Sequence, residues 1–308
     1  MDDLINTDFT STVHRTEYPA ISPTRPELNQ AGKTVLVTGG ATGIGKSIAQ
    51  HFVLASAATV IIVGRRLDRL NDATAELKTE AKAAGSPSKI IARQCDVSKS
   101  SDIVALWNEL ANKNLTVDVL VLNAAKFTEP APLLELGVDE VWSQFETNVK
   151  GPLVLTEHFL RQKTGGKKYI VNVTSAVIHA THHPMVIPRA AYALSKTAAA
   201  LAMQMFAYQI PQEELQVVTF HPGTVYADGW AKMGVTKDML PFDEADLPGA
   251  FAVWAASKEA VFLNGRIVWA SWDVDELAKG DVRKRLEKDP DYLKVSVVGF
   301  STSKRAQM

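Results

Sequence analysis

A tyrosine and a lysine four residues apart could share one acid–base task. Tyr192 and Lys196 lie in a stretch with helical periodicity, so both side chains would project from the same face of a helix. A free phenol has a pKa of about 10 and is a poor acid or base near neutrality. A neighbouring ammonium favours the phenolate, so we expect the pKa of Tyr192 to be lowered toward neutral pH. The pair could then give a proton to a carbonyl oxygen or take one from an alcohol.

Glycines follow an apolar run near the start of the chain. The stretch Val35–Ser47 has the pattern of a strand, a tight turn and the first turns of a helix. Free backbone N–H groups and the helix dipole converge at such a point and bind phosphate. Gly40–Ser47 has the spacing of the phosphate loop of nucleoside triphosphatases, whereas Thr38–Gly45 has that of a dinucleotide-binding turn. Both patterns predict a bound nucleotide.

Two further polar residues could act on a substrate. Ser175 follows the apolar run Tyr169–Val173, and its hydroxyl could hydrogen-bond a substrate oxygen as negative charge builds there. A serine at this place could equally satisfy the backbone at a strand end. Asn148 lies four residues before Pro152 and could cap a bend. The residues themselves leave these alternatives open.

Strand-like apolar runs alternate with amphipathic helical patterns from Lys33 onward. The predicted strands are Thr34–Val37, Thr59–Val63, Ile90–Gln94, Val117–Leu122, Tyr169–Val173, Gln216–Phe220 and Arg266–Ala270. The predicted helices are 46–55, 67–83, 101–112, 138–162 and 189–209. Short runs of Val and Ile indicate strands buried on both faces, and the helices supply the crossovers of a parallel sheet. The sequence predicts one α/β domain, a doubly wound parallel sheet with helices on both faces.

We expect this domain to span residues 32–277. Residues 1–31 are polar and proline-containing and predict an N-terminal extension, and residues 278–308 predict a C-terminal one. The insertion at 224–247 follows a strand end, where open α/β sheets bind ligands, so it is predicted to be a substrate lid. Packing of this insertion on the sheet or on a second subunit is the alternative.

Charge and composition exclude several classes of partner. The chain has 308 residues, a net charge of −1 and a single cysteine, Cys95. This charge does not favour nucleic acid or an anionic membrane, and no apolar run reaches the roughly 20 residues that cross a bilayer. One cysteine allows no internal disulfide and fits a reducing compartment. Because the acidic N-terminus lacks the pattern of a secretory signal, we expect a cytoplasmic protein.

Several short motifs occur in a recognisable order. They are Thr38-Gly-x3-Gly-Ile-Gly45, Asp96, Asn123-Ala-Ala125, Asn148, Ser175, Tyr192-x3-Lys196 and Pro222-Gly223. Together they resemble the short-chain dehydrogenase/reductase family over about residues 32–272. The resemblance implies a Rossmann-like fold, a homodimer or homotetramer, and a small-molecule carbonyl or alcohol substrate.

The resemblance also implies roles for individual residues. The implied catalytic residues are Ser175, Tyr192, Lys196 and Asn148, and the asparagine would position a water that connects the lysine to solvent. The implied cofactor-binding residues are Thr38, Gly39, Gly43, Ile44, Gly45, Arg65, Arg66, Asp96, Val97, Asn123, Ala124, Lys196, Pro222, Gly223 and Val225. Lys196 would hold the ribose next to the nicotinamide, whose positive charge in the oxidised form would also favour the phenolate of Tyr192.

The residues after the second strand bear on the choice of cofactor. Val63-Gly64-Arg65-Arg66 has no acidic residue to accept from the adenosine ribose, and arginine there accommodates a 2′-phosphate. We therefore predict NADP(H) as cofactor and a carbonyl reductase as function, with a non-catalytic NADP-binding regulatory or scaffold protein as the alternative. Asn264–Leu277 resembles the C-terminal part of fungal natural-product reductases, which implies a bulky, polyketide-like ketone.

A triphosphatase would need an acidic residue at a strand tip to hold magnesium. The predicted tips are Gly64, Asn123, Ser175 and His221. None is acidic, so the dinucleotide turn is favoured and Lys46 is predicted to face solvent. Histidines at 179, 182 and 183 share a loop but lack helical spacing and an acidic neighbour, so we expect no metal and predict that one of them lines the pocket. The loops at 126–137, 176–190 and 224–247 are predicted to shape that pocket.

Overall fold

The computed structural model describes residues 9–163, 166–227, 230–231 and 234–297. In these ranges, seven strands form one parallel sheet in the order β3-β2-β1-β4-β5-β6-β7. The strands are β1 Thr34–Thr38, β2 Thr59–Gly64, β3 Lys89–Gln94, β4 Val119–Leu122, β5 Lys168–Val173, β6 Leu215–His221 and β7 Arg266–Trp269. The strand order reverses between β1 and β4, and open α/β sheets bind ligands at the carboxyl ends of the strands beside such a point.

Helices cover both faces of this sheet. They are α1 Gly43–Leu54, α2 Leu67–Ala83, α3 Ser100–Asn112, α4 Leu133–Leu136, α5 Val138–Phe145, α6 Gly151–Arg161, α7 Ala190–Gln209, α8 Asp246–Ala255, α9 Val274–Leu277 and α10 Gly280–Lys288. Val35 of β1 packs in a buried cluster with Phe52 of α1. The next residue, Leu36, packs in the opposite cluster with Phe159 of α6. Because successive strand residues point to opposite faces, the predicted doubly wound sheet with helices on both faces is confirmed.

The helix predicted at 138–162 is interrupted in the structure. After α5 ends at Phe145, residues Glu146–Lys150 wind as a π-helical turn, and α6 begins at Gly151. Asn148 in this turn is buried, and its side-chain amide bonds both the N–H and the carbonyl of Lys126 at 2.7 Å. Helical periodicity alone does not reveal such a turn, because the stabilising partner lies in the distant loop after β4.

The segment before β1 packs on the domain. Ile21 and Leu28 are fully buried, and the hydroxyl of Tyr18 donates to the backbone carbonyl of Trp272 at 3.0 Å. Phe9 stacks on Trp272 with ring centroids 4.4 Å apart. The described part of the N-terminal extension is therefore anchored to the segment that follows β7, and the boundary between residues 31 and 32 stays a prediction.

Residues that follow α9 also contact the sheet. Leu286 of α10 is buried, and its carbonyl accepts from the guanidinium of Arg266 in β7 at 2.5 Å. The backbone N–H of Ile267 donates to the carbonyl of Leu293 at 2.7 Å. The rest of the predicted C-terminal extension, residues 298–308, lies outside the described residues. None of the described helices combines the length and apolarity needed to cross a membrane.

Candidate active site

Two adjoining cavities open at the carboxyl ends of the strands. The glycine-turn cavity, of about 380 Å³, borders Gly39 and Gly45. The loop cavity, of about 340 Å³, borders Ser175. Five residues line both cavities: Ile44, Phe127, Thr174, Tyr192 and Pro222. The phenol side chain proposed for acid–base chemistry therefore lies at their junction.

Most of the residues implied in cofactor binding surround the glycine-turn cavity. Those that line it are Gly39, Ile44, Gly45, Arg65, Arg66, Asp96, Val97, Asn123, Ala124, Lys196 and Pro222. Gly223 and Val225 line the loop cavity instead. Thr38 and Gly43 line neither of the two. The structure thus gathers thirteen of these fifteen residues around the two cavities, whereas Thr38 is buried and Gly43 is exposed.

Thr38 joins β1 and β4 beside the glycine-turn cavity. Its hydroxyl donates to the carbonyl of Val121 at 3.1 Å. It accepts from the backbone N–H groups of Asn123 at 2.9 Å and Ala124 at 3.0 Å. These bonds hold the ends of β1 and β4 together beside the cavity, which is a positioning role.

The glycine turn brings α1 close to the end of β1. Gly39 has a φ of +66°, in the left-handed region that favours glycine. A Cβ atom at Gly45 would lie 2.2 Å from the carbonyl oxygen of Gly39 and 2.4 Å from the side-chain nitrogen of Asn123. Only a residue without a side chain fits there. The start of α1 can therefore face the cavity with its backbone, as phosphate binding requires.

Three exposed arginines follow β2. Arg65, Arg66 and Arg69 line the glycine-turn cavity, and the first two form no ion pair with any described residue. The guanidinium of Arg69 lies 3.9 Å from the carboxylate of Asp68. Arg69 was not selected from the sequence, although its spacing of three from Arg66 on a helix offered a signal.

Tyr192 and Lys196 extend from the first two turns of α7. The ammonium of Lys196 is buried, donates to the carbonyl of Val173 at 2.8 Å and lies 5.9 Å from the centroid of the Tyr192 ring. Ser175 follows β5, and its hydroxyl accepts a long hydrogen bond from the N–H of Val177 at 3.5 Å. Serine, tyrosine and lysine thus meet where the two cavities join.

The pKa values at this junction are governed by burial. Burial raises the pKa of Tyr192 to about 12, although a hydrogen bond from Ser175 acts in the opposite direction. Burial lowers the pKa of Lys196 to about 8. The lowered tyrosine pKa expected from the sequence is therefore wrong for the protein's own groups, because removal from water disfavours both charged forms.

Asn148 contacts the helix that carries the candidate catalytic residues. Its side-chain nitrogen donates to the hydroxyl of Ser195 at 2.9 Å, in addition to the bonds with Lys126. It is not among the residues that line the two cavities. The capping alternative does not describe it, since its side chain bonds a distant loop and α7 rather than its own turn.

The loop cavity is lined mainly by apolar side chains. Each of the three loops predicted to shape the pocket contributes to its wall. Phe127 comes from the first loop, Met185 and Val186 from the second, and Trp230 from the third. Residues 228, 229, 232 and 233 of the predicted lid lie outside the described residues. His221 of β6, which the sequence offered only as a strand tip, also lines this cavity.

The residues that would support triphosphatase or metal chemistry are engaged elsewhere. Lys46 pairs with Glu76 of α2. Asp96 accepts from both the N–H and the hydroxyl of Ser98. No group of three or more potential metal ligands occurs among the described residues. Of the three loop histidines, His179 accepts a hydrogen bond from the indole of Trp269 at 3.2 Å, and none lines the loop cavity. The predicted pocket-lining role is therefore wrong for that cavity.

Comparison with known proteins places this chain in a family. The short chain dehydrogenase family profile matches residues 33–238. A short chain dehydrogenase/reductase of Claviceps purpurea is 38% identical over 292 residues, covering 94% of each chain. The short chain dehydrogenase/reductase AacuD of Aspergillus aculeatus is 36% identical, covering 94% of this chain and 96% of the relative.

Solved structures agree at the level of the fold. A 7α-hydroxysteroid dehydrogenase complexed with NADH and 7-oxo glycochenodeoxycholic acid aligns with a TM-score of 0.68 and 23% identity, over 83% of this chain and 97% of that one. The L-sorbose reductase of Gluconobacter frateurii, complexed with NADPH and L-sorbose, aligns with a TM-score of 0.69 and 20% identity, over 79% and 96%. The profile match and the two fungal relatives show that the chain belongs to the short-chain dehydrogenase family.

Proposed function

We propose that this chain is an NADPH-dependent carbonyl reductase that converts a ketone or aldehyde into an alcohol. The observation that carries the proposal is the position of Tyr192, which lines both cavities and lies beside Ser175 and Lys196. A phenol at this junction can reach a ligand in either cavity. This is the arrangement that proton transfer to a carbonyl oxygen requires.

The glycine-turn cavity fits a nicotinamide dinucleotide. Gly45 leaves no room for a side chain, so the backbone of the turn is open to a pyrophosphate. Arg65, Arg66 and Arg69 line this cavity together with Lys196. When bound, the reduced nicotinamide supplies the hydride that the substrate carbon receives.

The chain's own residues act on the substrate oxygen. The hydroxyl of Ser175 donates a hydrogen bond to that oxygen, where negative charge builds. Tyr192 donates its proton to the same oxygen, and Lys196 favours the resulting phenolate through its charge. Because the lysine is held by the carbonyl of Val173 at 2.8 Å, its ammonium stays close to the phenol.

Arginine side chains support the preference for NADPH. Arg65 and Arg66 are exposed at the cavity edge and make no ion pair within the described ranges. Their guanidiniums are available to a 2′-phosphate, which forms strong charge-assisted hydrogen bonds with arginine. Arg69 adds a third positive charge to the same rim.

The loop cavity supports a bulky, mainly apolar ketone as substrate. Phe127, Val186 and Trp230 line it together with Met185, and its volume of about 340 Å³ lies in the range of small-molecule sites. The resemblance of Asn264–Leu277 to fungal natural-product reductases points to the same class and to a role in secondary metabolism.

Assembly and location are part of the same proposal. Leu194, Leu201 and Met205 leave apolar side chains exposed along α7, which supports a homodimer or homotetramer. The single cysteine is buried, and its lack of a disulfide partner supports a cytoplasmic location.

Replacement of the phenol tests the function directly. Purified protein is assayed with NADPH and a panel of aldehydes and ketones, and Tyr192→Phe should lower kcat roughly 100-fold or more while it preserves NADPH binding. Tyr169→Phe is the matched control. Tyr169 is also a buried tyrosine, but it lies near the start of β5, whereas the candidate site lies beyond the carboxyl end of that strand. Undiminished turnover by Tyr192→Phe would exclude this mechanism, and binding of NADPH without turnover of any carbonyl by the wild type would favour the regulatory alternative.

A further inference from the structure

A buried histidine forms part of the wall of the loop cavity. His221 ends β6, has an exposure of 8% and lines this cavity. Its Nδ1 atom accepts from the backbone N–H of Ala176 at 3.3 Å. An imidazole that accepts through Nδ1 carries its proton on Nε2. Within the described part of the chain, Nε2 has no hydrogen-bond partner. This atom is not fully buried, so a ligand can reach it.

Neighbouring rings hold this histidine in place. The ring of Trp269 packs against it at a centroid distance of 4.5 Å and an interplanar angle of 72°. The indole of Trp269 is in turn fixed by its hydrogen bond to His179. Burial lowers the pKa of His221 to about 3, with a smaller contribution from His179. The imidazole is therefore a neutral donor at physiological pH and not a cation.

A fixed donor in an apolar wall favours a ligand that carries an acceptor. Val177, Val186 and Trp230 line the same cavity as His221. A polar group that loses water without gaining a partner costs free energy when a ligand fills the cavity. The carbonyl that is reduced already receives hydrogen bonds from Ser175 and Tyr192, so a donor at His221 requires a different oxygen.

We propose that His221 determines substrate specificity by donating its Nε2 proton to a second oxygen of the substrate, apart from the carbonyl that is reduced. The preferred substrates are then apolar cyclic ketones that bear an additional hydroxyl or carbonyl group. This inference rests on the proposed reductase function and names the substrate class of the same site.

A matched substrate series measures the contribution of this donor. The series is 1-tetralone and its ring-hydroxylated derivatives, assayed with NADPH, and the quantity compared is the ratio of kcat/KM between a hydroxylated ketone and the parent. The wild type should favour one or more hydroxylated ketones roughly 10-fold. In His221→Asn the side-chain oxygen can still accept from Ala176 but no donor reaches the Nε2 position, so this ratio should fall by about the same factor.

Two further variants separate specificity from folding. His221→Gln returns an N–H donor near the Nε2 position and should recover part of the preference. His51→Asn removes another buried imidazole, which bonds Ser47 and Glu17 away from the cavities, and should leave the ratio unchanged. Calorimetric titration of the ketones into the enzyme saturated with NADP⁺ should give the same order of affinities.

The outcomes distinguish this inference from the function on which it rests. If the wild type reduces no ketone, the reductase proposal fails. If it reduces 1-tetralone and all hydroxylated derivatives with equal kcat/KM, or if His221→Asn lowers every kcat/KM by one factor, reduction stands but His221 does not select a second oxygen.

Discussion

The side-chain nitrogen of Asn148 donates to the hydroxyl of Ser195 at 2.9 Å, and that hydroxyl donates to the backbone carbonyl of Tyr192 at 3.0 Å. Both side chains are buried. The π-helical turn is thereby tied to the first turns of α7, which carry the phenol and the ammonium. Asn148 is thus a positioning residue in this structure, and its implied contact with a water stays a prediction.

A double-mutant cycle tests this connection. Asn148→Ala should lower the free energy of unfolding by about 1–3 kcal/mol, because it leaves the partly buried N–H and carbonyl of Lys126 without their partner. Ser195→Ala should cost less. Since the two side chains share a bond, the double variant should deviate from additivity by at least about 0.5 kcal/mol in urea unfolding. Strict additivity would mean that the bond contributes nothing to stability.

The lack of room for a side chain at Gly45 gives a second prediction. Gly45→Ala should weaken NADPH binding roughly 10-fold or more, because its Cβ would lie 2.2 Å from the carbonyl of Gly39 and force α1 away. Gly166→Ala is the control, since a Cβ there meets nothing within 4 Å. Fluorescence titration with NADPH measures both affinities. Equal affinities of the two variants would show that the close approach of α1 is unimportant.

Regular elements were largely predictable because their signals are local. The strand predicted at Thr59–Val63 is observed at Thr59–Gly64, and the helix predicted at 67–83 is observed at Leu67–Ala83. Short β-branched runs and a repeat of apolar residues every three or four positions carry that information within the segment itself. The glycine turn was also predictable from a local signal, because the spacing of its glycines reflects the close approach of Gly45 to Gly39.

Features that depend on distant partners were not predictable. The π-helical turn at Glu146–Lys150 depends on bonds between Asn148 and the loop after β4. The N-terminal segment is held by isolated anchors such as Ile21, which leave no periodic pattern. For Tyr192, the spacing of the lysine was readable from the sequence, whereas the burial that raises the pKa was not.

Coenzyme preference provides a third prediction. Arg65→Ala should raise the KM for NADPH roughly 10-fold and change the KM for NADH little. Only NADPH carries a 2′-phosphate, and this group would lose its charge-assisted hydrogen bonds with the arginine. Arg161→Ala removes an exposed arginine of α6 that lines neither cavity and pairs with Glu157. This control should preserve both KM values. A wild-type preference for NADH, or equal losses for both cofactors in Arg65→Ala, would contradict the assignment of NADPH.

The lowered pKa of Lys196 predicts an unusual dependence of stability on pH. In the folded protein this pKa is about 8, against 10.5 for an unperturbed lysine. Between these values the unfolded chain binds more protons than the folded one, so the free energy of unfolding rises with pH. The pKa of Tyr192 is raised, and its opposite effect begins only above about pH 10.

Comparison with Lys196→Met isolates this contribution. From about pH 7.5 to 9.5 the wild type should gain about 2 kcal/mol in unfolding free energy relative to the variant, since one unit of pKa shift corresponds to about 1.4 kcal/mol. Lys78→Met, at an exposed position of α2, should run parallel to the wild type over the same range. Urea unfolding at several pH values measures all three proteins. A wild type whose stability runs parallel to that of Lys196→Met over this range would mean that the buried amine keeps its proton and that the phenol has a permanent cation beside it.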